Sequence, residues 1–176
     1  MSERILVIVP TYNEMENLPR KAPLILEQDE RIEILVVDDA SPDGTGQLAD
    51  EMAAAAPRVH VLHRKSKDGL GQAYLAGFKW ALEHDFEVIF EMDADISHPP
   101  DALPRLIEAI GTHDFVIGSR YVEGRVTVSN WPMSRLLVSY FGSWYARMIT
   151  RMPVRDATGG FNGWHRRVLE EVGLDR

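Results

Sequence analysis

The chain has 176 residues, 45% of them hydrophobic and 26% charged, which is typical of a single globular domain. It contains no cysteine, which excludes disulfides, thiolate metal sites and a cysteine nucleophile and fits a reducing compartment. Its apolar runs are far shorter than a membrane span and its net charge is −8, so we expect a soluble chain that does not bind nucleic acid.

Apolar runs alternate with helical patterns along most of the chain. The predicted strands are Ile5–Val9, Ile32–Val37, Val59–His63, Val88–Met92 and Phe115–Gly118. The predicted helices are Asn17–Gln28, Gln47–Ala56, Gly71–His84, Ala102–Ile110 and Arg166–Val172. This alternation predicts right-handed βαβ units, and therefore an α/β fold whose mostly parallel sheet has helices on both faces.

Polar residues follow several of the predicted strand ends. These residues are 10–14, Asp38-Asp39, Asp93-Ala94-Asp95 and Ser119-Arg120. Because the carboxyl ends of parallel strands share one edge of a sheet, we expect these groups to converge there. Asp93 and Asp95 are hard oxygen donors suited to Mg²⁺ or Mn²⁺ shared with a substrate's phosphates. Taken alone, such a triplet is also compatible with two solvated acids in a turn.

Charge is unevenly distributed along the chain. Residues 1–115 carry 10 Lys or Arg against 22 Asp or Glu, whereas residues 116–176 carry 9 Arg, no Lys and 5 acids. The arginine fork suits bidentate phosphate binding, which indicates an anionic substrate, although a solvated basic face explains the composition equally well. Trp131–Met152 mixes aromatic residues, methionine and arginine as membrane-interface segments do. An amphipathic helix packed on the core is the alternative for this segment.

Several other chemistries are not supported by the sequence. Gly69-Leu70-Gly71 is followed by Tyr74 where a dinucleotide fingerprint needs its third glycine, and neither a P-loop nor a nucleophile elbow is present. His60 and His63 lie three apart on a predicted strand and so point to opposite faces, which is unsuited to a shared metal. His98 is close to the acidic pair in sequence, but a role in the turn explains it equally well.

Four segments in order carry a resemblance to a known family. They are Pro10-Thr11-Tyr12-Asn13-Glu14, Asp38 to Thr45, Met92-Asp93-Ala94-Asp95 with His98-Pro99-Pro100, and Gly118-Ser119-Arg120-Tyr121. Together they resemble the inverting glycosyltransferases of family 2 with the GT-A fold, most closely the dolichyl-phosphate (polyprenol-phosphate) mannose synthases. The segment from Trp131 to Phe161, with Asp156-Ala157-Thr158-Gly159-Gly160-Phe161, extends the likeness.

The resemblance implies a role for individual residues. The implied donor-binding residues are Pro10, Tyr12, Glu14, Val37, Asp39, Asp93, Ala94 and Asp95. Asp93 and Asp95 would hold the cation, Mg²⁺ or Mn²⁺, and Asp95 and Arg120 would be catalytic. Arg120, Arg135 and Ser139 would receive the acceptor phosphate. Ser97 stands where some relatives place a glutamine on the metal, so the resemblance supplies no third protein ligand there.

The resemblance also implies a reaction, mannose transfer from GDP-mannose to dolichyl or polyprenyl phosphate, giving β-linked polyprenyl phosphate mannose. Such an enzyme would be peripheral at the cytoplasmic face of a membrane, and a separate anchoring subunit or domain remains open. Three alternatives are a sister enzyme using UDP-glucose or UDP-modified arabinose, a non-catalytic sugar-nucleotide-binding module, and a nucleotidyltransferase. The last lacks the glycine-rich, lysine-bearing loop that it needs.

The resemblance further predicts how the chain is organised. We expect one GT-A catalytic domain over residues 1–176, with a donor and metal half at 1–121 and an acceptor and membrane-facing half at 122–176. In this family the catalytic domain continues past the equivalent of Arg176, so we expect the chain to be truncated at its C-terminus.

Overall fold

A six-stranded sheet forms the centre of the protein. The computed structural model describes residues 3–95, 98–119, 121–122, 125–126, 145, 148–149, 156 and 159–174. The strands are β1 (Ile5–Thr11), β2 (Ile32–Asp38), β3 (Val59–His63), β4 (Val88–Glu91), β5 (Phe115–Ile117), β6 (Tyr121–Val122), β7 (Arg125–Val126) and β8 (Asn162–His165). The sheet order is β3-β2-β1-β4-β8-β5, and β6 and β7 form a separate pair.

Helices connect most of the strands, as the sequence predicts. Those with described bounds are α1 (Leu18–Leu26), α2 (Thr45–Ala55), α3 (Leu70–Glu83), α4 (Leu103–Ile110) and α5 (Arg166–Val172), and a 3-10 turn lies at Pro100–Ala102. Every predicted helix and strand is present, with ends within two residues of the prediction. The predicted α/β fold is therefore confirmed.

The two faces of β1 explain why its sequence is apolar without alternation. Ile5, Val7 and Val9 pack into a core shared with α1, α2 and α4. Leu6 and Ile8 point the other way, into a core shared with α3 and α5. Side chains alternate across a strand, so a strand covered on both faces needs apolar residues at every position.

The sheet is parallel from β3 to β4, but β8 lies antiparallel between β4 and β5. This strand was not predicted, because Asn162-Gly163-Trp164-His165 contains no apolar run. Gly163 faces Phe90 on one side and Val116 on the other. A Cβ atom at Gly163 would lie 2.8 Å from Val116 Cγ2 and closer still to the ring of Phe90. Glycine is therefore what lets the last strand fit beside the strand that leads to Asp93.

Part of the predicted acceptor half lies outside the described residues. Of Trp131–Met152, only Tyr145, Met148 and Ile149 are described; all three are helical and more than half exposed. None of the helices in the described parts of the chain is both long and apolar enough to cross a membrane.

Candidate active site

The loop after β4 carries the predicted acidic pair. Asp93, Asp95 and His98 each place a ligand atom within 4.8 Å of the other two. His98, at 8% exposure, is the most buried of the three, and its Nδ1 lies 3.7 Å from Asp93 Oδ2. Carboxylates suit Mg²⁺ and Mn²⁺, and an imidazole can complete a mixed donor set, so the cluster fits a divalent cation. The structure thus brings His98 to the acidic pair, for which the sequence left a turn role equally open.

Tyr74 fixes one oxygen of Asp93 from the α3 side of the sheet. Its hydroxyl donates to Asp93 Oδ1 at 2.9 Å. Tyr74 is only 7% exposed, and its pKa is raised by burial first and by the negative charge of Asp93 second. The phenol therefore stays neutral and remains a donor. The other carboxylate oxygen of Asp93, Oδ2, faces His98.

Lys21 reaches the same loop from α1. Its Nζ donates to the backbone carbonyl of Asp93 at 2.7 Å and also to the carbonyl of Asp95. Burial lowers the pKa of Lys21 from its ordinary 10.5 to about 8, and the charges of Asp95, Asp93 and Glu14 oppose that shift. Because a pKa of about 8 exceeds neutral pH, the ammonium form predominates there.

The turn before β8 packs against Asp93 of the cluster. Asn162 Nδ2 donates to Glu91 Oε2 at 2.7 Å and to the Gly159 carbonyl at 3.1 Å. Burial raises the pKa of Glu91, while the hydrogen bonds from Asn162 and Trp164 oppose the rise. A Cβ atom at Gly160 would lie 3.3 Å from Asp93 Oδ2. The turn thus lies close against Asp93.

A second set of polar residues lies at the ends of β1 and β2. Arg64 holds the Asp39 side chain, because its Nη1 donates to Asp39 Oδ1 at 2.6 Å. The backbone amide of Asp39 donates to the Thr11 carbonyl at 3.0 Å. Asp38 accepts from the hydroxyls of Thr11 at 3.1 Å and Ser41 at 2.6 Å. Asp38 therefore joins the end of β1 to the loop after β2, and Asp39 lies next to Asp38 at the sheet edge.

The loop after β1 carries the remaining described residues of the predicted donor pocket. Tyr12 is 36% exposed, and Lys67 Nζ lies 3.7 Å from its ring centroid. Glu14 accepts a 2.7 Å hydrogen bond from Asn17 Nδ2. Pro10 is half-buried, and the Val37 side chain packs entirely in the core. Val37 therefore has only its backbone to offer a ligand.

The structure places the described predicted residues along one edge of the sheet. The predicted residues outside the described part of the chain are Ser97, Arg120, Arg135 and Ser139. Lys21, Tyr74 and Arg64 were not predicted as site residues. Arg64 directly follows β3 at the same edge, so a search for polar residues after each predicted strand could have found it. Lys21 and Tyr74 lie within helices, where their spacing gave no signal.

The mostly parallel sheet, with a cation-competent acidic loop after its fourth strand, has the architecture of the GT-A fold. Solved structures support the fold. A Pyrobaculum calidifontis mannosyltransferase in complex with GDP-Man and Mn²⁺ aligns with 99% of this chain and 49% of its own, with TM-score 0.63 and 23% identity. Staphylococcus aureus TarS in complex with UDP aligns with 96% of this chain and 48% of its own, with TM-score 0.65 and 22% identity.

The chain belongs to glycosyl transferase family 2, whose profile matches residues 6–173. Micrococcus luteus undecaprenyl-phosphate mannosyltransferase is 51% identical over 98% of this chain and 70% of its own length. Mycolicibacterium smegmatis polyprenol monophosphomannose synthase is also 51% identical, over 98% of this chain and 66% of its own length. The chain thus spans about two thirds of these relatives, and the predicted family is confirmed.

Proposed function

We propose that this protein transfers mannose from GDP-mannose to a polyprenyl phosphate, with inversion at the anomeric carbon. The observation that carries the proposal is the cluster of Asp93, Asp95 and His98 at the same sheet edge as Asp39. The strands β2 and β4 lie on either side of β1, so their ends are two strand spacings, or about 10 Å, apart. The 51% identity to two polyprenol-phosphate mannosyltransferases supports the choice of sugar and acceptor.

The donor would lie across this edge. In the proposal Asp39, oriented by Arg64, receives the base, and the partly exposed ring of Tyr12 would lie beside that base. Asp93 and Asp95 would hold Mg²⁺ or Mn²⁺ at the diphosphate. When bound, that cation neutralises the departing nucleoside diphosphate.

The acceptor phosphate is already ionised near neutral pH, so it needs no strong general base. One of its oxygens forms the bond to the anomeric carbon while the bond from that carbon to the GDP oxygen breaks, and GDP leaves. Arg120, Arg135 and Ser139 are proposed to hold the acceptor phosphate in line, and the positive charges of the two arginines would offset the repulsion between two anionic groups. Residues 1–121 would then bind donor and metal and supply Arg120 to the acceptor phosphate, and residues 122–176 would bind acceptor and membrane.

The decisive experiment is a transfer assay with a short polyprenyl phosphate and Mn²⁺. GDP-mannose, UDP-glucose and UDP-arabinose derivatives are compared as donors, and preference for GDP-mannose is expected. Asp95→Asn should lower transfer by about 100-fold or more, because the cluster loses a charged oxygen. Asp101→Asn is the matched control, since it removes an exposed acid of the following 3-10 turn and should change little.

Each outcome bears on a different alternative. Preference for a uridine donor would replace mannose by another sugar while keeping the reaction class. Donor binding without turnover would favour a non-catalytic sugar-nucleotide-binding module. Near-normal metal-dependent transfer by Asp95→Asn would show that the metal site is wrongly assigned.

A further inference from the structure

Lys21 is a buried charge on a helix face that is otherwise apolar. The other buried residues of α1 are Leu18, Ala22 and Ile25, and Lys21 itself is only 4% exposed. An apolar side chain would satisfy packing on this face without the desolvation of an ammonium group. The position of Lys21 therefore needs a reason other than packing.

The hydrogen bonds of Lys21 supply that reason. Lysine carries three donors, and two of the acceptors here are the carbonyls of Asp93 and Asp95. These carbonyls belong to the two residues whose carboxylates form the cation-competent cluster, with the buried Ala94 between them. One ammonium group thus fixes the backbone of the loop on both sides of Ala94.

We propose that Lys21 is a positioning residue that clamps the Asp93–Asp95 loop so that both carboxylates face one cation. The inference rests on the metal-dependent transfer proposed above, and it assigns Lys21 no contact with the substrate. Tyr74 complements the clamp, because it orients the Asp93 side chain while Lys21 fixes the backbone.

The clamp and the charge of Lys21 have opposite effects on cation affinity. A positive charge beside two carboxylates repels a divalent cation, so removing that charge alone would strengthen cation binding. Removing the clamp lets the two carboxylates diverge and weakens binding. The sign of the change in affinity therefore separates a positioning role from a purely electrostatic one.

The test measures the Mn²⁺ dissociation constant of the 176-residue chain from the free Mn²⁺ signal in electron paramagnetic resonance, with and without GDP. Lys21→Met keeps an unbranched apolar stem but removes both hydrogen bonds, and Mn²⁺ binding is expected to weaken by about 10- to 100-fold. Arg20→Met is the control: it removes one positive charge from the adjacent, exposed position of α1 and should change the constant by less than about twofold. Thermal unfolding without metal verifies that each variant is folded.

Tighter or unchanged Mn²⁺ binding by folded Lys21→Met would overturn the proposal. Lys21→Leu is the second variant, because leucine matches the apolar face of α1, and it should weaken binding equally. If neither variant folds, Lys21 serves the stability of the fold and the proposal is wrong. Absence of Mn²⁺ binding by the unmodified chain would instead count against the metal site of the proposed function.

Discussion

Among single residues, Asp43 shows how one exposed carboxylate can organise two loops. It accepts hydrogen bonds from the Thr45 hydroxyl at 2.6 Å, the Thr45 amide at 3.0 Å and the Met15 amide at 3.3 Å. The bond from the Thr45 side chain is the largest cause of the lowered pKa of Asp43, and the backbone amides add to it. Asp43 thereby links the loop after β2 to the loop after β1.

This linkage predicts a pH-dependent stability difference between the protein and Asp43→Asn. The folded-state pKa of Asp43 is below its ordinary 3.8, so the ionised carboxylate stabilises the fold above that value. The contribution is lost as pH falls through the lowered pKa. Urea unfolding at about pH 7, 5 and 3.5 should show Asp43→Asn to be less stable at the two higher values, with the gap narrowing at the lowest. A gap independent of pH would contradict the role of the charge.

Individual residues also show what the sequence could and could not predict about the candidate site. Asp39, Asp93 and Asp95 were predictable because each closely follows an apolar run that ends at one edge of a parallel sheet. Lys21 and Tyr74 were not, because a charged or aromatic residue within a helix is ordinary. Their importance arises only when α1 and α3 bring them to the loop after β4.

Among elements, β8 is a strand whose neighbours restrict its sequence. It lies between two neighbours, and Gly163 has no room for a side chain on either side. Gly163→Ala should therefore destabilise the protein by about 1–3 kcal/mol through overpacking. The measurement is the free energy of urea unfolding.

Gly71→Ala provides the matched control for that measurement. Gly71 lies in α3, where an added Cβ would meet no atom within 4 Å apart from its chain neighbours and the backbone of its own helix. Alanine is the better helix former, so this change should be neutral or stabilising by up to about 1 kcal/mol. Equal effects at both glycines would show that backbone flexibility, and not the space around β8, decides the outcome.

The contrast between β8 and the other strands explains which elements the sequence could predict. The parallel strands β1 and β2 are buried on both faces, so their apolar runs are unmistakable. In β8 the deciding residue is a glycine whose value lies in the absence of a side chain. Such a strand is defined by its neighbours and leaves no pattern of its own.

At the level of the whole molecule, the proposed acceptor is a lipid phosphate, so the enzyme has to act at a membrane surface. Tyr145, Met148 and Ile149 have helical spacing, and each is more than half exposed. We propose that they contact the membrane. Replacing all three by serine should weaken binding to vesicles that contain a polyprenyl phosphate by about tenfold or more, measured by co-sedimentation.

Two exposed apolar residues elsewhere provide the control for vesicle binding. Leu24→Ser with Val172→Ser removes exposed apolar surface from α1 and α5 and should leave binding unchanged. If this pair weakened binding as much as the triple substitution, the contact would be general hydrophobic adsorption. Loss of vesicle binding with intact GDP-mannose binding would separate the membrane contact from the donor site.

The pairing of β5 with β8 has a further consequence for how specificity can diverge in this family. The Gly118 amide donates to the Phe161 carbonyl at 2.7 Å, so the two residues that border positions 119–160 in sequence lie side by side. An insertion whose two ends meet can be exchanged between homologous chains without altering the spacing of the strands that carry Asp39 and Asp93. Because this exchange replaces the proposed acceptor residues Arg120, Arg135 and Ser139, we expect chimeras cut at Gly118 and Phe161 to change the acceptor while keeping the donor.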